Sequence, residues 1–565
     1  MSPTARRLLW RWAPLVPIAA VLVWHSLQFD FVTDDAYISF VYSRNLAEHG
    51  QLAFNLGHPV EGYTNFLWTV ILAGGMVLGV PPEIASRVLG TGFGVATLVV
   101  VFRLTERLVD PAASRPGAEP RCPACGWAYL PPALLACSSG FACWSSGGLE
   151  TQLFTFLVAF AIDGYVAADQ PGGERRLPRV GVALALAAMT RPEGLLITAL
   201  IVAHRLGLNM ARDRRWLPRA VDWLTLGSFL TLWAPWFAWR WAYYGWPFPN
   251  TYYVKAAGHT TARYDHELHQ AGLYYVEQWL RQTRLLWASP VAVLGLLWAR
   301  PRQPRFAFTS LAALILPVYL AYVVSVGGDF MGLHRFIMPL FVLAAIAVVL
   351  GLERLASLLH PAQLRPFAAA TVAAIVLGLF AWTQARLTHA SLHPAPGKFA
   401  DHGIDTPAYL IAYTENRAAI GRAMAGCFTD DDFSIVGGAG AQPYLGHMRG
   451  IDVFGLVSER IAHEVAPGRP RPGHNKWGPD PLLAEHDPDF VFHCYAIHSK
   501  PTIAPLGCGA FWRAPARGFE QRTIEVPGLV GEREGRDDDG GPGPAKYYTF
   551  LVKRDRAFAC PGLVP

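Results

Sequence analysis

The chain has 565 residues, 52% of them hydrophobic and only 16% charged, well under the roughly 25% charge of a soluble globular domain. That balance excludes a wholly water-soluble protein and calls for several membrane helices joined to some soluble mass. The net charge of +6 sits in short basic clusters between apolar runs, which excludes a nucleic-acid binder and reads as a membrane-orientation signal.

At the N-terminus Arg6, Arg7 and Arg11 precede an apolar run from Ala13 to Phe29. No small-residue cleavage site follows, so the run reads as a retained signal-anchor helix with its N-terminus in the cytoplasm. A hydrocarbon core takes about 20 apolar residues per helix. Ten further spans follow at Ile84–Leu108, Ala128–Trp144, Gln152–Val166, Val180–Met189, Leu195–His204, Val221–Trp241, Leu285–Trp298, Phe306–Val326, Phe336–Gly351 and Phe367–Thr383. Between the fifth and sixth spans, Thr190-Arg191-Pro192-Glu193-Gly194 breaks the helix, and charges at membrane depth are tolerated only inside protein or along a cavity. Arg191 and Glu193 there read as a mutual ion pair. Phe66–Gly79 is too short to cross and reads as re-entrant or interfacial. Leaving it uncrossed puts the basic clusters at Arg103/Arg107, Arg175/Arg176, Arg212/Arg214/Arg215 and Arg300/Arg302 all on the cytoplasmic side, as the positive-inside rule requires. The expectation is an α-helical polytopic protein of the bacterial cytoplasmic membrane, with eleven crossings in residues 1–387. Residues 388–565 would form a small extracytoplasmic α/β domain, with strand-like runs at Phe433–Val436, Phe490–Tyr495 and Tyr547–Val552.

The eight cysteines divide by compartment. Cys122 and Cys125 make one cytoplasmic C-x-x-C, without the second pair a structural zinc needs. Cys137 and Cys143 read as packing residues. Cys427, Cys494, Cys508 and Cys560 lie outside, where disulfides persist, and their three pairings stay open.

Polar groups gather in the outer loops. Asp34-Asp35 follow the first helix. One of them, or Thr33, could cap the helix that begins at Tyr37, but adjacent carboxylates repel and need a cation, a partner or a proton. A carboxylate here could take the proton of a sugar hydroxyl, or hold a divalent Mg, Mn or Ca against a phosphate. Glu61-Gly62-Tyr63-Thr64-Asn65 leads into the short apolar helix, where Tyr63 and Trp68 could stack on a sugar or prenyl chain, although Trp68 alone reads as an interfacial ring. Glu150, the acid of the Ser145–Thr151 turn, is either a helix-start residue or a second active-site acid. Gly327-Gly328-Asp329 opens a loop ending in His334-Arg335, whose guanidinium suits a phosphate. In the tail, Arg471–Trp477 forms a polar-aromatic cluster that could touch a glycan acceptor or dock the loop.

Asp34-Asp35-Ala36-Tyr37-Ile38-Ser39-Phe40 with Arg44-Asn45-Leu46-Ala47, Glu61-Gly62-Tyr63-Thr64-Asn65, Gly147-Gly148-Leu149-Glu150-Thr151, Gly327-Gly328-Asp329 and Gly473-His474-Asn475-Lys476 together resemble the GT-C glycosyltransferases. Within them the likeness is to the terminal β-(1→2)-arabinofuranosyltransferase family. The resemblance implies a GT-C membrane core with juxtamembrane helices, a polyprenyl-phosphate sugar donor, and a glycan or lipid acceptor amid membrane lipids. It implies Asp34 or Asp35 as base, Glu150 as second acid, and His334 and Arg335 facing the lipid phosphate. Tyr37, Arg44, Glu61, Tyr63, Asn65, Asp329, His474 and Lys476 would bind substrate. A transporter or flippase is the alternative, and it predicts charges spread through the midplane and repeat symmetry.

Overall fold

The computed structural model describes residues 11–110 and 125–564, apart from 171, 215–216, 256–260, 298, 300–302, 304, 360–362, 364, 396–397, 469–472, 502–505, 507–517 and 531–545. Cys122 and Arg471 therefore lie outside the described residues, as do the side chain of Cys125 and the backbone of Cys508.

All eleven segments expected to cross are helical. Among the described residues six helices are long and apolar enough to span a membrane: Pro82–Val109, Thr151–Ala168, Glu193–Arg212, Phe306–Ser325, Arg335–Ser357 and Arg365–Leu392. The first helix, α1 (Leu15–Phe29), continues after a 97° bend into α2 (Asp34–His49). The bend is made at Asp30, which adopts the left-handed conformation at φ 33°. Phe66–Val77 (α3) is a helix of only 12 residues, about 18 Å long at 1.5 Å per residue and too short to cross. Where one span was expected at Ala128–Trp144 there are two short helices, Cys125–Cys137 and Ser139–Ser146. Pro131 and Pro132 sit inside the first, and the Ser138 hydroxyl caps the second by accepting from the Phe141 N–H. The break at Thr190–Glu193 is real as well. Arg191 is extended at φ −151°, ψ 144°, as the residue before a proline prefers.

In a bilayer there is little hydrophobic drive between helices, so close contact depends on small residues. Gly295 of Leu285–Leu297 and Gly351 of Met338–Ser357 face each other. A Cβ on Gly351 would sit 1.9 Å from the Val291 carbonyl oxygen, and one on Gly295 would sit 2.1 Å from that of Ala347.

The tail forms a five-stranded sheet in the order β4-β3-β5-β7-β6. Its strands are β3 (Ser434–Val436), β4 (Gly450–Asp452), β5 (Phe490–His498), β6 (Phe519–Glu525) and β7 (Tyr547–Lys553), while β1 (Ala400–Asp401) and β2 (Ile404–Asp405) form a separate hairpin. β3 runs parallel to β4 and β5, and β7 is antiparallel to β5 and β6. Three of these strands match the sequence reading; β4 and β6, short or polar, escaped it. Cys427 and Cys560 form a disulfide, which selects among the open pairings. Cys143 is free and buried, as a packing residue should be.

The tail rests on the segments that carry Asn55 and Asn250. The Asn55 side-chain amide exchanges two 2.9 Å hydrogen bonds with the Gly450 backbone. The Asn250 amide donates to the Gly455 and Leu456 carbonyls. Gly351→Ala should lower the unfolding midpoint of the purified protein, with overpacking costing about 1–3 kcal/mol; a thermal melt in detergent measures it, and an unchanged midpoint would contradict the close helix contact.

Candidate functional site

The bend after α1 places both acids in the first turn of α2, where the helix dipole favours negative charge. Thr33 occupies the N-cap position without a side-chain bond. Asp34 turns instead to the tail, where its Oδ1 accepts the Ala441 N–H at 2.8 Å. The fit is tight enough to require glycine next door. A Cβ on Gly440 would lie 2.2 Å from the Asp34 carbonyl oxygen and 2.3 Å from its Oδ2. Asp35 is left half-buried, and among the described residues it has no hydrogen-bond or ion-pair partner within bonding distance.

Asp35 borders two cavities. The smaller, about 90 Å³, is lined by Asp35, Tyr63, Asn65, Glu150, Arg191, Lys255 and Arg335 among others. Arg191 pairs with Glu150 at 2.7 Å and with Glu193 at 3.0 Å. Asn65 donates to the other Glu150 oxygen at 2.9 Å and accepts from Ser39 and Thr69. Arg335 donates through Nε to Asp329 and lies over the Trp144 and Phe336 rings, contacts that favour a desolvated guanidinium. Its two Nη groups make no hydrogen bond among the described residues. Burial pushes the Asp35 carboxyl above the ordinary carboxylate range, with Arg335 first and then Lys255 pulling it back. Burial lowers the Lys255 ammonium in turn, opposed by Asp35.

The larger cavity, about 320 Å³, lies between α2 and the tail. Asp34, Asp35 and Phe330 form one side. Tyr409, Tyr413, Phe454, His474, Trp477, His493 and Tyr495 supply rings from the tail. Asp452 also lines it, but its carboxylate is spent on the Phe454, Leu456 and Val457 N–H groups. Burial pushes His493 down to about 4, so that its ring is neutral.

No family model matches the chain. It is 26% identical over 361 residues to the terminal β-(1→2)-arabinofuranosyltransferase of Mycobacterium tuberculosis, a match covering 59% of this chain and 54% of that protein. The chain thus spans about half the length of this curated relative. Apo ArnT from Cupriavidus metallidurans superposes with a TM-score of 0.52 at 12% identity, covering 98% of this chain and 99% of that one. The chain has the fold of this ArnT structure.

Within this fold the residues singled out by sequence divide sharply. Asp34, Asp35, Tyr63, Asn65, Glu150, Arg335 and His474 line one cavity or the other. Six others line neither. Tyr37 packs against Phe40 and Tyr444, and Arg44 donates to the Tyr444 carbonyl while covering its ring; both glue α2 to the tail. Glu61 pairs with Arg240 at 2.9 Å, and burial still carries it up to about 7. Asp329 is spent on Arg335. His334, in the left-handed region at φ 61°, packs on Tyr275, and burial drives it down to about 3, so it carries no charge for a phosphate. Lys476 donates to the Ala462 carbonyl at 2.6 Å. Trp68 is neither an interfacial ring nor a sugar platform: it is fully buried and donates to the Gly148 carbonyl.

Two residues were undervalued. Arg191 reaches Glu150 as well as Glu193, because the helix break aims it into the cavity. Lys255 ends the six-residue helix Asn250–Lys255, and nothing in its local sequence signals that it faces Asp35. Among the described residues, no group of three or more His, Cys, Asp or Glu gathers to hold a metal. The charges acting on Asp35 are the cations Arg335 and Lys255 and, opposing them, the carboxylates of Asp329 and Glu150.

Arg191→Met would leave Glu150 and Glu193 buried without their counter-charge and should cost about 3–5 kcal/mol. Adding Glu150→Gln should recover part of that loss. Chemical or thermal unfolding of the two variants measures this, and a stable single variant would contradict the ion network.

Proposed function

We propose that the protein is an integral-membrane glycosyltransferase that moves a sugar from a polyprenyl-phosphate donor to a glycan or lipid acceptor. The reading rests above all on Asp35, an acid with no bonded partner among the described residues, which borders both a small cavity holding Arg335, Lys255 and Arg191 and a larger one walled by aromatic rings. In this reading the donor phosphate lies against the Nη groups of Arg335 and the Lys255 ammonium. The acceptor hydroxyl enters from the larger side. Asp35 takes the hydroxyl proton as the acceptor oxygen bonds to the sugar's anomeric carbon. The bond from that carbon to the phosphate oxygen breaks, and polyprenyl phosphate leaves with its charge held by the two cations. Glu150 orients Arg191 and Asn65 at the cavity wall. Asp34 acts through position, holding the tail against α2.

The relative named above makes arabinofuranose the first donor sugar to try. Eleven crossings with a cytoplasmic N-terminus, and a tail from residue 388 outside, would put both cavities at the outer leaflet of the bacterial cytoplasmic membrane, where such a donor is presented.

Asp35→Asn should lower kcat by about 10²–10⁴-fold, the usual worth of a general base. Asp34→Asn should lose less activity and more thermal stability. The working form of Asp35 is the carboxylate, and burial raises its pKa. Activity should therefore fall as pH drops, with a midpoint above the ordinary Asp value of about 4. Lys255→Met should raise the donor KM more than it lowers kcat. Radiolabelled transfer from polyprenyl-phosphate arabinose in nanodiscs reads all of these, and full transfer by Asp35→Asn would overturn the assignment.

A further inference from the structure

Trp477 is 52% exposed, while its neighbours Asn475 and Lys476 are 3% and 2% exposed. Among the described residues of the tail beyond residue 400, Trp477 is the most exposed large hydrophobic side chain, with Val530 next at 38%. The loop that carries the indole is held firmly. Asn475 donates to the Lys255 carbonyl, Lys476 to the Ala462 carbonyl, and the Gly478 N–H to the Val453 carbonyl. A rigid loop thus presents a large apolar ring to water, which is unfavourable unless something covers it.

The ring belongs to the larger cavity and not to an isolated patch. Phe454 meets it edge-on at 5.3 Å and His493 stands 6.0 Å away. Deeper in the same cavity are Tyr413 and Tyr495, with the Arg417 guanidinium stacked on both rings at 4.9 and 4.1 Å. The carboxyls of Asp34 and Asp35 line the same cavity. Aromatic walls accept the C–H faces of a sugar ring, and carboxyl oxygens accept its hydroxyls. The two carboxyls disfavour an acidic sugar by like-charge repulsion. The volume of about 320 Å³ is at the lower edge of the roughly 300–1,000 Å³ of small-molecule sites, so that a chain end fits while the rest of the chain lies outside.

We infer that Trp477 is the acceptor platform: a neutral glycan chain lies across its indole and delivers its terminal residue past Phe454 to Asp35. This rests on the transferase reading and narrows it, from a glycan or lipid acceptor to an uncharged glycan. Trp477 sets acceptor affinity and takes no part in donor binding, since it lines the larger cavity and not the donor-side one.

The test is direct binding to the full-length protein in nanodiscs without donor. Tetrasaccharides of arabinan, galactan and mannan serve as neutral probes and tetragalacturonate as the acidic one, read by calorimetry. At least one neutral probe should bind. Trp477→Ala should weaken it about tenfold, within the usual worth of one aromatic stacking contact, and Trp477→Phe should restore most of it. Tetragalacturonate should bind more weakly than the neutral probe. Binding by none of the neutral probes, unchanged affinity in Trp477→Ala with unaltered melting, or equal affinity for tetragalacturonate would each overturn the inference. In transfer assays Trp477→Ala should raise the acceptor KM and leave the donor KM alone. Failure of transfer with the glycan still bound at Trp477 would count against the transferase reading and leave the platform standing.

Discussion

Two carboxylates stand side by side at the start of α2, and the site depends on how their repulsion is resolved. Asp34 is engaged by the Ala441 amide of the tail, while Asp35 is left facing Arg335 and Lys255. One backbone hydrogen bond thus has three consequences. It ties the tail to the membrane helices, makes the two acids inequivalent, and leaves the larger cavity open between them. Glycine at position 440 is part of this contact, because any side chain would meet Asp34.

Behind Asp35 the same logic is applied to larger charges. Burying an ion pair gains little net stability, yet removing one partner is costly. Arg191 therefore carries both Glu150 and Glu193, and Arg335 carries Asp329. These ties consume the carboxylates more fully than the cations. The Nη groups of Arg335 and the ammonium of Lys255 remain to meet a ligand. The helix break before Pro192 is what lets Arg191 turn inward, so a local backbone rule is converted into the wall of a site.

Much of the membrane part was legible in the sequence because long apolar runs have few alternatives in lipid. Asp34-Asp35, Glu150 and Arg335 stood out as candidates because charged groups beside apolar runs need a reason. The misjudged residues share one feature, that their neighbours in space are remote in sequence. Glu61 meets Arg240, Arg44 meets Tyr444, and Lys476 meets the carbonyl of Ala462. Each has a functional-looking composition and a structural occupation. Lys255 is the converse, an ordinary-looking residue at the end of a short helix that tertiary structure brings to Asp35.

The sequence by itself determined the helical membrane character, the short apolar helix at Phe66–Val77 and the α/β character of the tail. These follow from local properties, namely hydropathy over about 20 residues, alternation, and the orientation of loop charge. Only the tertiary structure decided which acid the tail engages, which cations face the other, and which rings of the tail wall the second cavity. Those are pairings across tens to hundreds of residues. They are set by which buried groups find partners and by where glycine permits two backbones to touch, and neither is written in any local window.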